Sequence, residues 1–267
     1  MTFRSTLFNL AVPAAVLIAA YVLTPYARAL PLSLAGLNVY GPYVLLALGG
    51  AVSLAFRRGR VLFAVLTLAI AYVSVRFFLQ SGQDKFVAYA VFSMLCLFVP
   101  FNLAALSLLK ERGAFNQHGL QRLVVIAAQI AFAAWVVLSR NVTTVEWAYH
   151  PLAEMGLLAT SPLPQLGIAV IALCFVASLA AWLVTRSAID LGMAGATAAF
   201  GIAAHGITTP NMFAMFVTAA ALILMIAVLQ DTFRMAFRDE LTGLPSRRTL
   251  NERLAGLGRS YTVAMLD

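Results

Sequence analysis

Long apolar runs recur along this chain from its first residues to about residue 230, with short polar segments between them. A hydrocarbon core about 30 Å thick needs roughly 20 predominantly apolar helical residues to cross it, because every backbone amide must be paired internally. Eight segments meet this test, at about 7–24, 39–56, 61–80, 86–109, 120–139, 163–185, 188–204 and 210–230. The seventh is the weakest, because it is short and rich in Gly and Ala.

The composition also indicates that lipid is the solvent of this chain. Of its 267 residues, 62% are hydrophobic and only 10% are charged, which leaves too little polar surface to coat a soluble globule. A net charge of +8 would suggest nucleic acid in a soluble protein, but Lys and Arg lie here in short segments between apolar runs. We therefore expect the lipid bilayer as a partner, and no nucleic acid. Cys96 and Cys174 lie inside apolar runs and are interpreted as small buried hydrophobes.

The distribution of positive charge predicts the orientation. With a cytoplasmic N-terminus, the inside segments contain Arg4, Arg57, Arg58, Arg60, Lys110, Arg112, Arg122 and Arg186. The outside loops contain Arg28, Arg76, Lys85 and Arg140. This bias places both ends of an eight-helix chain in the cytoplasm. Alternatively, residues 1–29, with Arg4 and the Ala27-Arg28-Ala29 tripeptide, form a cleavable signal peptide, which leaves seven spans and the same cytoplasmic C-terminus.

Few polar side chains fall inside the spans, and most of them are interpreted as packing features. Gln129 and Asn102 are expected to hydrogen-bond between helices. Gly195, Ala199 and Ala203 recur at every fourth residue, which allows close approach of another helix, within one subunit or between two.

Arg76 lies near the end of the third span, where an isolated charge in lipid is costly. We expect its side chain to extend toward the outer surface, and toward Asp84, Glu146 or Glu154.

The outer loop from 140 to 162 has a mixed aromatic and polar character, with Trp147, Tyr149 and His150. Two interpretations of this loop fit the sequence: a cap over a ligand pocket, and a half-helix at the membrane interface. His150 and His205 could contribute to a metal or haem site, but no spacing typical of metal ligands accompanies them.

The pattern changes after residue 230. Asp231, Arg234 and Arg238 appear among apolar residues without Gly or Pro, so the eighth span is expected to continue as a cytoplasmic helix. Leu229, Phe233 and Ala236 have the spacing of a short coiled-coil seam, and a solvated amphipathic helix is the alternative.

Further on, Thr242-Gly243 and Pro245 end that helix, and Ser246 caps a second one over about 247–257. A short strand-like run, 261–266, follows and ends at Asp267. A strand that delivers a carboxylate at its end is a recurrent way to hold a divalent cation.

The segment 239–248, Asp-Glu-Leu-Thr-Gly-Leu-Pro-Ser-Arg-Arg, closely resembles the D-x-L-T-G-L-x-N-R-R motif that opens GGDEF (diguanylate cyclase) domains. The residues that match are Asp239, Leu241, Thr242, Gly243, Leu244, Arg247 and Arg248. The likeness continues through the following helix to Ala264-Met265-Leu266-Asp267, where the family has its first strand. Ser246 replaces the usual Asn, one capping residue for another. The resemblance covers only about the last thirty residues.

This resemblance implies a domain that condenses two GTP molecules into cyclic di-GMP in a homodimer, with Mg²⁺ bound in part by Asp267. It also implies a bacterial inner-membrane location. The expected domains are a membrane sensor, 1–230, a helical signalling linker, 231–240, and the N-terminal part of a GGDEF domain, 239–267. The rest of the catalytic site is expected to lie beyond residue 267, so this fragment alone is expected to be inactive.

The expected fold is therefore an all-α polytopic membrane protein of about eight transmembrane helices, followed by the first helix and strand of an α/β GGDEF domain. The protein is expected to act as a membrane-bound diguanylate cyclase whose spans sense a signal that the sequence does not identify. The alternatives are a catalytically inactive GGDEF receptor or scaffold, and a transporter with a regulatory tail.

Overall fold

A computed structural model describes residues 3–28, 36–80, 82, 84–150 and 161–237, and nearly all of these residues are helical. The helices are α1 (Phe3–Arg28), α2 (Gly36–Ala55), α3 (Gly59–Ser74, continued by a π-helical turn, Val75–Leu79), α4 (Lys85–Leu108), α5 (Gln117–Leu138), α6 (Val142–Tyr149), α7 (Gln165–Thr185), α8 (Ala188–His205) and α9 (Met212–Phe237).

Seven of these helices are long and apolar enough to cross a membrane: α1, α2, α3 with its π-helical turn, α4, α5, α7 and α9. They match seven of the eight predicted spans and indicate a multi-pass membrane protein. The remaining predicted span, 188–204, is α8. It is helical, but its Gly-rich and Ala-rich sequence with Asp190 and His205 is not apolar enough by composition to qualify.

The position of α8 explains why small and polar residues are tolerated along it. It runs antiparallel to α7, with Thr185 bonded to Asp190 at one end and Ser161 to His205, 3.2 Å away, at the other. Nearly all of its side chains are buried against other helices. A helix enclosed by protein has no lipid-facing surface to make apolar.

Small residues let α8 approach its neighbours closely, as predicted. A Cβ atom built at Gly195 would lie 3.0 Å from Pro13 Cβ in α1 and 3.1 Å from Ile223 in α9. Ala199 and Ala203 on the same face are fully buried. The small-residue stripe therefore serves packing within one subunit.

The bundle is built around α4, which packs against α3, α5, α6, α7 and α8. Buried side chains of α3, α8 and α9 form much of the hydrophobic core. By contrast, α1 and α5 are the least buried of the seven candidate spans. At the end of the bundle opposite Gly59, the ring of Tyr72 contacts Tyr43 and Phe213, and Phe213 contacts Phe200. We call these four residues the aromatic cluster.

The chain divides into two compact units, residues 1–228 and 229–267. One helix, α9, contains the boundary. Of the second unit the structure describes only 229–237. The predicted first helix and strand of the GGDEF domain, and every motif residue from Asp239 to Asp267, lie outside the described residues.

Candidate functional site

Three connecting segments that are distant in sequence meet at one end of the bundle through Arg60. Its guanidinium donates from Nη1 to Asp190 Oδ1 at 2.8 Å, and its Nε lies 3.7 Å from the carboxylate of Glu111. The other oxygen of Asp190 accepts a hydrogen bond from Thr185. The Asp190 side chain is 1% exposed and that of Arg60 10%. We call Arg60, Glu111 and Asp190 the buried ionic cluster.

Arg60 also satisfies the end of α4. Its Nη1 lies 3.2 Å from the carbonyl oxygen of Ser107 and 3.0 Å from that of Leu109. The last carbonyls of a helix have no partner within the helix, so a cation placed there stabilises them. Arg60 therefore joins the start of α3 to the end of α4 and to the first turn of α8.

Glu111 performs the complementary task at the start of α3. Its carboxylate accepts hydrogen bonds from the backbone amides of Gly59 and Arg60, at 3.1 and 3.2 Å, and from those of Arg112 and Gly113 in its own loop. An acidic group that bonds the free amides of a helix N-terminus stabilises that helix. Glu111 thus caps α3 from the α4–α5 loop.

The buried ionic cluster has the arrangement of a structural ion-pair network and not that of a reactive centre. Each carboxylate is already engaged by a cation, a hydroxyl or backbone amides, which leaves no base poised beside a nucleophile. Among the described residues, no group of three or more His, Cys, Asp or Glu side chains could hold a metal ion. What the arrangement can do is fix three loops to one another at this end of the bundle, which we call the basic end.

From sequence, Arg60 served only as an orientation signal, and Asp190 was overlooked. A signal was present, since Asp190 is the one acidic residue in the predicted seventh span, and ionisable residues within membrane segments are functional candidates by default. Its place three residues after Ser187, which caps α8 by accepting from the amide of Ile189, matches a helix-capping pattern instead. Sequence alone could not show that its partner lies 130 residues earlier.

The basic end contains three of the connections that the sequence predicts to be inside. The α2–α3 and α4–α5 loops meet at Glu111, and the α7–α8 turn joins them through Asp190. Arg140 lies at the opposite end, where it pairs with Asp84. The structure therefore confirms that the more basic loops share one end, and it leaves the sidedness of that end as a prediction.

A cleft between α4 and α5, the α4–α5 groove, opens beside the buried ionic cluster. Its lower part, of about 630 Å³, begins at Lys110 and Arg112 near the basic end. Its upper part, of about 380 Å³, is lined almost wholly by apolar side chains. The two parts meet at Asn102 and Ile126, which line both.

Asn102 and Gln129, each predicted to hydrogen-bond between helices, bond to each other at this junction. Asn102 Nδ2 donates to Gln129 Oε1 at 2.7 Å, and Gln129 Nε2 donates to Asn102 Oδ1 at 2.9 Å. Two reciprocal amide bonds satisfy groups that would otherwise face lipid unpaired. They hold α4 to α5 in the middle of the groove.

The structure corrects Asp84 as an expected partner of Arg76, and the alternative Glu154 lies outside the described residues. Its guanidinium bonds the side chain of Gln80 across the π-helical turn, whereas Asp84 pairs with Arg140. The reason is local, since Asp84 caps the start of α4 through the amide of Phe86, 3.0 Å away, and the α5 end delivers Arg140 to it.

No group of three possible metal ligands includes His150 or His205 among the described residues. His205 Nδ1 lies 3.2 Å from Ser161 Oγ, and His150 ends α6. Within the outer loop, the short helix α6 agrees with the half-helix interpretation, with Trp147 exposed on it.

We find no match to this chain among protein-family models, curated proteins or solved structures.

Proposed function

We propose that this chain is the membrane-embedded regulatory part of a diguanylate cyclase, an enzyme that condenses two GTP molecules into cyclic di-GMP. The observation that carries the proposal is the continuity of α9. This helix runs without a break from Met212 to Phe237 and ends two residues before Asp239, the first residue of the GGDEF-like segment. At 1.5 Å per residue its 26 residues extend about 39 Å, longer than a bilayer core.

The membrane part has the construction expected of a rigid regulatory body. The buried ionic cluster ties α3, α4 and α8 at the basic end, and close contacts at Gly192 and Gly195 join α8 to the membrane-embedded part of α9. A displacement of the bundle that moves α9 is then passed along its axis. We propose that α8 crosses the bilayer as the eighth span, because it runs antiparallel to α7 over its length.

The charge distribution supports a cytoplasmic location for the basic end, and hence for the C-terminus, in a bacterial inner membrane. Catalysis in a homodimer, GTP as substrate and Mg²⁺ as the metal rest on the resemblance of 239–267. Asp267, the proposed Mg²⁺ ligand, lies outside the described residues. A carboxylate there would help hold the metal that neutralises triphosphate charge during phosphoryl transfer.

The direct test measures cyclic di-GMP formed from GTP by the full-length protein in membrane vesicles. We expect synthesis by the natural protein and none by Asp267→Asn, because the amide lacks the charge that binds the metal. Asp84→Asn, the same substitution on the exposed loop at the opposite end, is the matched control and should retain activity. Binding of cyclic di-GMP without synthesis by the natural protein would contradict the enzyme proposal and favour an inactive receptor.

A further inference from the structure

Arg122 is a buried cation whose charge is only partly satisfied by the protein. It is 8% exposed and lines the lower part of the α4–α5 groove. Its Nη2 donates to the carbonyl oxygen of Lys110 at 3.2 Å, and its Cζ lies 5.9 Å from the centre of the Phe63 ring. Its Nε and Nη1 atoms are buried and have no hydrogen-bond partner among the described residues. A buried guanidinium with two unused donors is costly unless an acceptor reaches it.

The surroundings of Arg122 are positive. The cations Lys110 and Arg112 line the same lower part of the groove, and no acidic residue does among the described part of the chain. The carboxylate of Glu111 is already bonded to backbone amides and paired with Arg60. The groove mouth therefore favours an anion with several acceptor oxygens.

The walls above this mouth are apolar and open toward lipid. Phe101, Leu108 and Val125 line the lower part and are about half exposed or more, although they lie within two candidate spans. Beyond Asn102, the upper part continues between α4 and α5 with apolar walls. A ligand that fits both regions has an anionic head and a hydrocarbon chain.

We propose that the α4–α5 groove is a binding site for one anionic phospholipid. Its phosphate lies among Lys110, Arg112 and Arg122, and accepts hydrogen bonds from the buried Nε and Nη1 of Arg122. One acyl chain follows the groove along Phe101 and Val125. Phosphate groups of a bilayer lie at the level of helix ends, which is where α4 ends and α5 begins. A free phosphate would leave the apolar walls unused. This site does not depend on the cyclase proposal.

The test uses the purified chain in neutral detergent micelles and counts bound lipid by native mass spectrometry. The probes are phosphatidylglycerol and phosphatidylcholine with identical acyl chains. We expect one phosphatidylglycerol to bind per chain. The affinity for phosphatidylcholine should be at least about tenfold lower, since its headgroup has no net charge. Arg122→Gln should weaken phosphatidylglycerol binding about tenfold, because a charge-assisted bond is lost. Arg57→Gln, an exposed cation at the same end but outside the groove, should leave it unchanged.

Two further experiments distinguish a bound lipid from a bound free anion, and a specific loss of binding from misfolding. Val125→Trp fills the groove at an exposed position without changing charge, and it should weaken phosphatidylglycerol binding while helical content is retained. Millimolar inorganic phosphate should not displace the lipid. Equal binding of the two lipids, equal effects of Arg122→Gln and Arg57→Gln, no effect of Val125→Trp, or displacement by phosphate would each overturn the proposal.

Discussion

The two ends of the bundle are held by different interactions. At the basic end, Arg60 and Asp190 form a buried pair at 2.8 Å, with side chains 10% and 1% exposed. At the opposite end, the pair Arg140–Asp84 is largely solvated, with side chains 68% and 39% exposed, and packing there depends on the aromatic cluster around Tyr72. Ion pairs of the same chemical type therefore have different structural roles in one molecule.

The difference follows from solvation. An exposed pair gains little, because water screens the charges and both side chains lose freedom. A buried pair is not strongly favourable in total either, but removing one partner leaves the other charge in a medium that cannot solvate it. The basic end should thus be intolerant of single substitutions, whereas the opposite end should respond mainly to changes in aromatic packing.

The largest effect is expected for Arg60→Ala, which leaves Asp190 without its cation and the carbonyls at the end of α4 without a donor. We expect a loss of about 3–5 kcal/mol of unfolding free energy, measured by denaturant titration in detergent micelles. The double variant Arg60→Met with Asp190→Leu removes both charges and should recover much of this loss. If Arg60→Ala were no more harmful than Arg140→Ala, the contrast between the two ends would be wrong.

Gly59→Ala should have the next largest effect, because the basic end brings two backbones together. A Cβ atom at Gly59 would lie 2.2 Å from the carbonyl oxygen of Gly113, an atom that no rotamer can move. We expect about 1–3 kcal/mol of destabilisation in the same titration. Gly50→Ala is the matched control, since its Cβ would meet nothing within 4 Å and alanine favours a helix interior. Equal effects of the two substitutions would show that the loops are not in close contact.

At the opposite end, Tyr72→Phe separates the hydrogen bond of the aromatic cluster from its packing. The Tyr72 hydroxyl donates to the carbonyl oxygen of Val39 at 3.0 Å, and the Tyr72 ring is stacked on Phe213. Phenylalanine removes the hydroxyl and keeps the ring. We expect a cost of about 1 kcal/mol. A loss as large as that of Arg60→Ala would mean that this end also depends on a buried polar contact.

The smallest effect is expected at the exposed pair. The amide of Phe86 and, after it, the Arg140 side chain hold the pKa of Asp84 below its ordinary value of 3.8. A lowered folded-state pKa contributes stability above pH 3.8 and loses it as pH falls through the folded value. The difference in unfolding midpoint between the natural chain and Asp84→Asn should be small at neutral pH and vanish in acid. A difference that grows toward low pH would contradict this sign.

How much of this could be predicted from sequence varies with the range of the interaction. The spans, the interhelical role of Asn102 and Gln129 and the stripe at Gly195 depend on local apolar runs and on polar or small residues within them, so a single sequence contains them. The buried ionic cluster joins residues up to 130 positions apart, and no periodicity links Arg60 to Asp190. Arg122 was counted only among the positive charges of the inside segments. Its burial depends on the packing of α5 against α3, which the sequence does not show.

Composition also misrepresents α8, for a physical reason. Hydropathy scores a helix as if lipid surrounded it, whereas α8 is surrounded by α1, α4, α7 and α9. Its small residues are suited to close packing and not to lipid contact. By sequence α8 is the weakest predicted span, because it is short and rich in Gly and Ala, and its packing explains that composition.

The central claim is that α9 conveys the state of the membrane bundle to the segment that begins at Asp239, and an insertion series in the full-length protein tests it most directly. One alanine inserted after Thr232 rotates everything beyond it by about 100°, whereas seven residues add nearly two whole turns and almost restore the phase. Cyclic di-GMP would be measured in membranes and normalised to protein level. The account predicts that activity follows phase, with a large change for one residue and near-natural activity for seven. Equal activity across the series would mean that α9 is a passive tether.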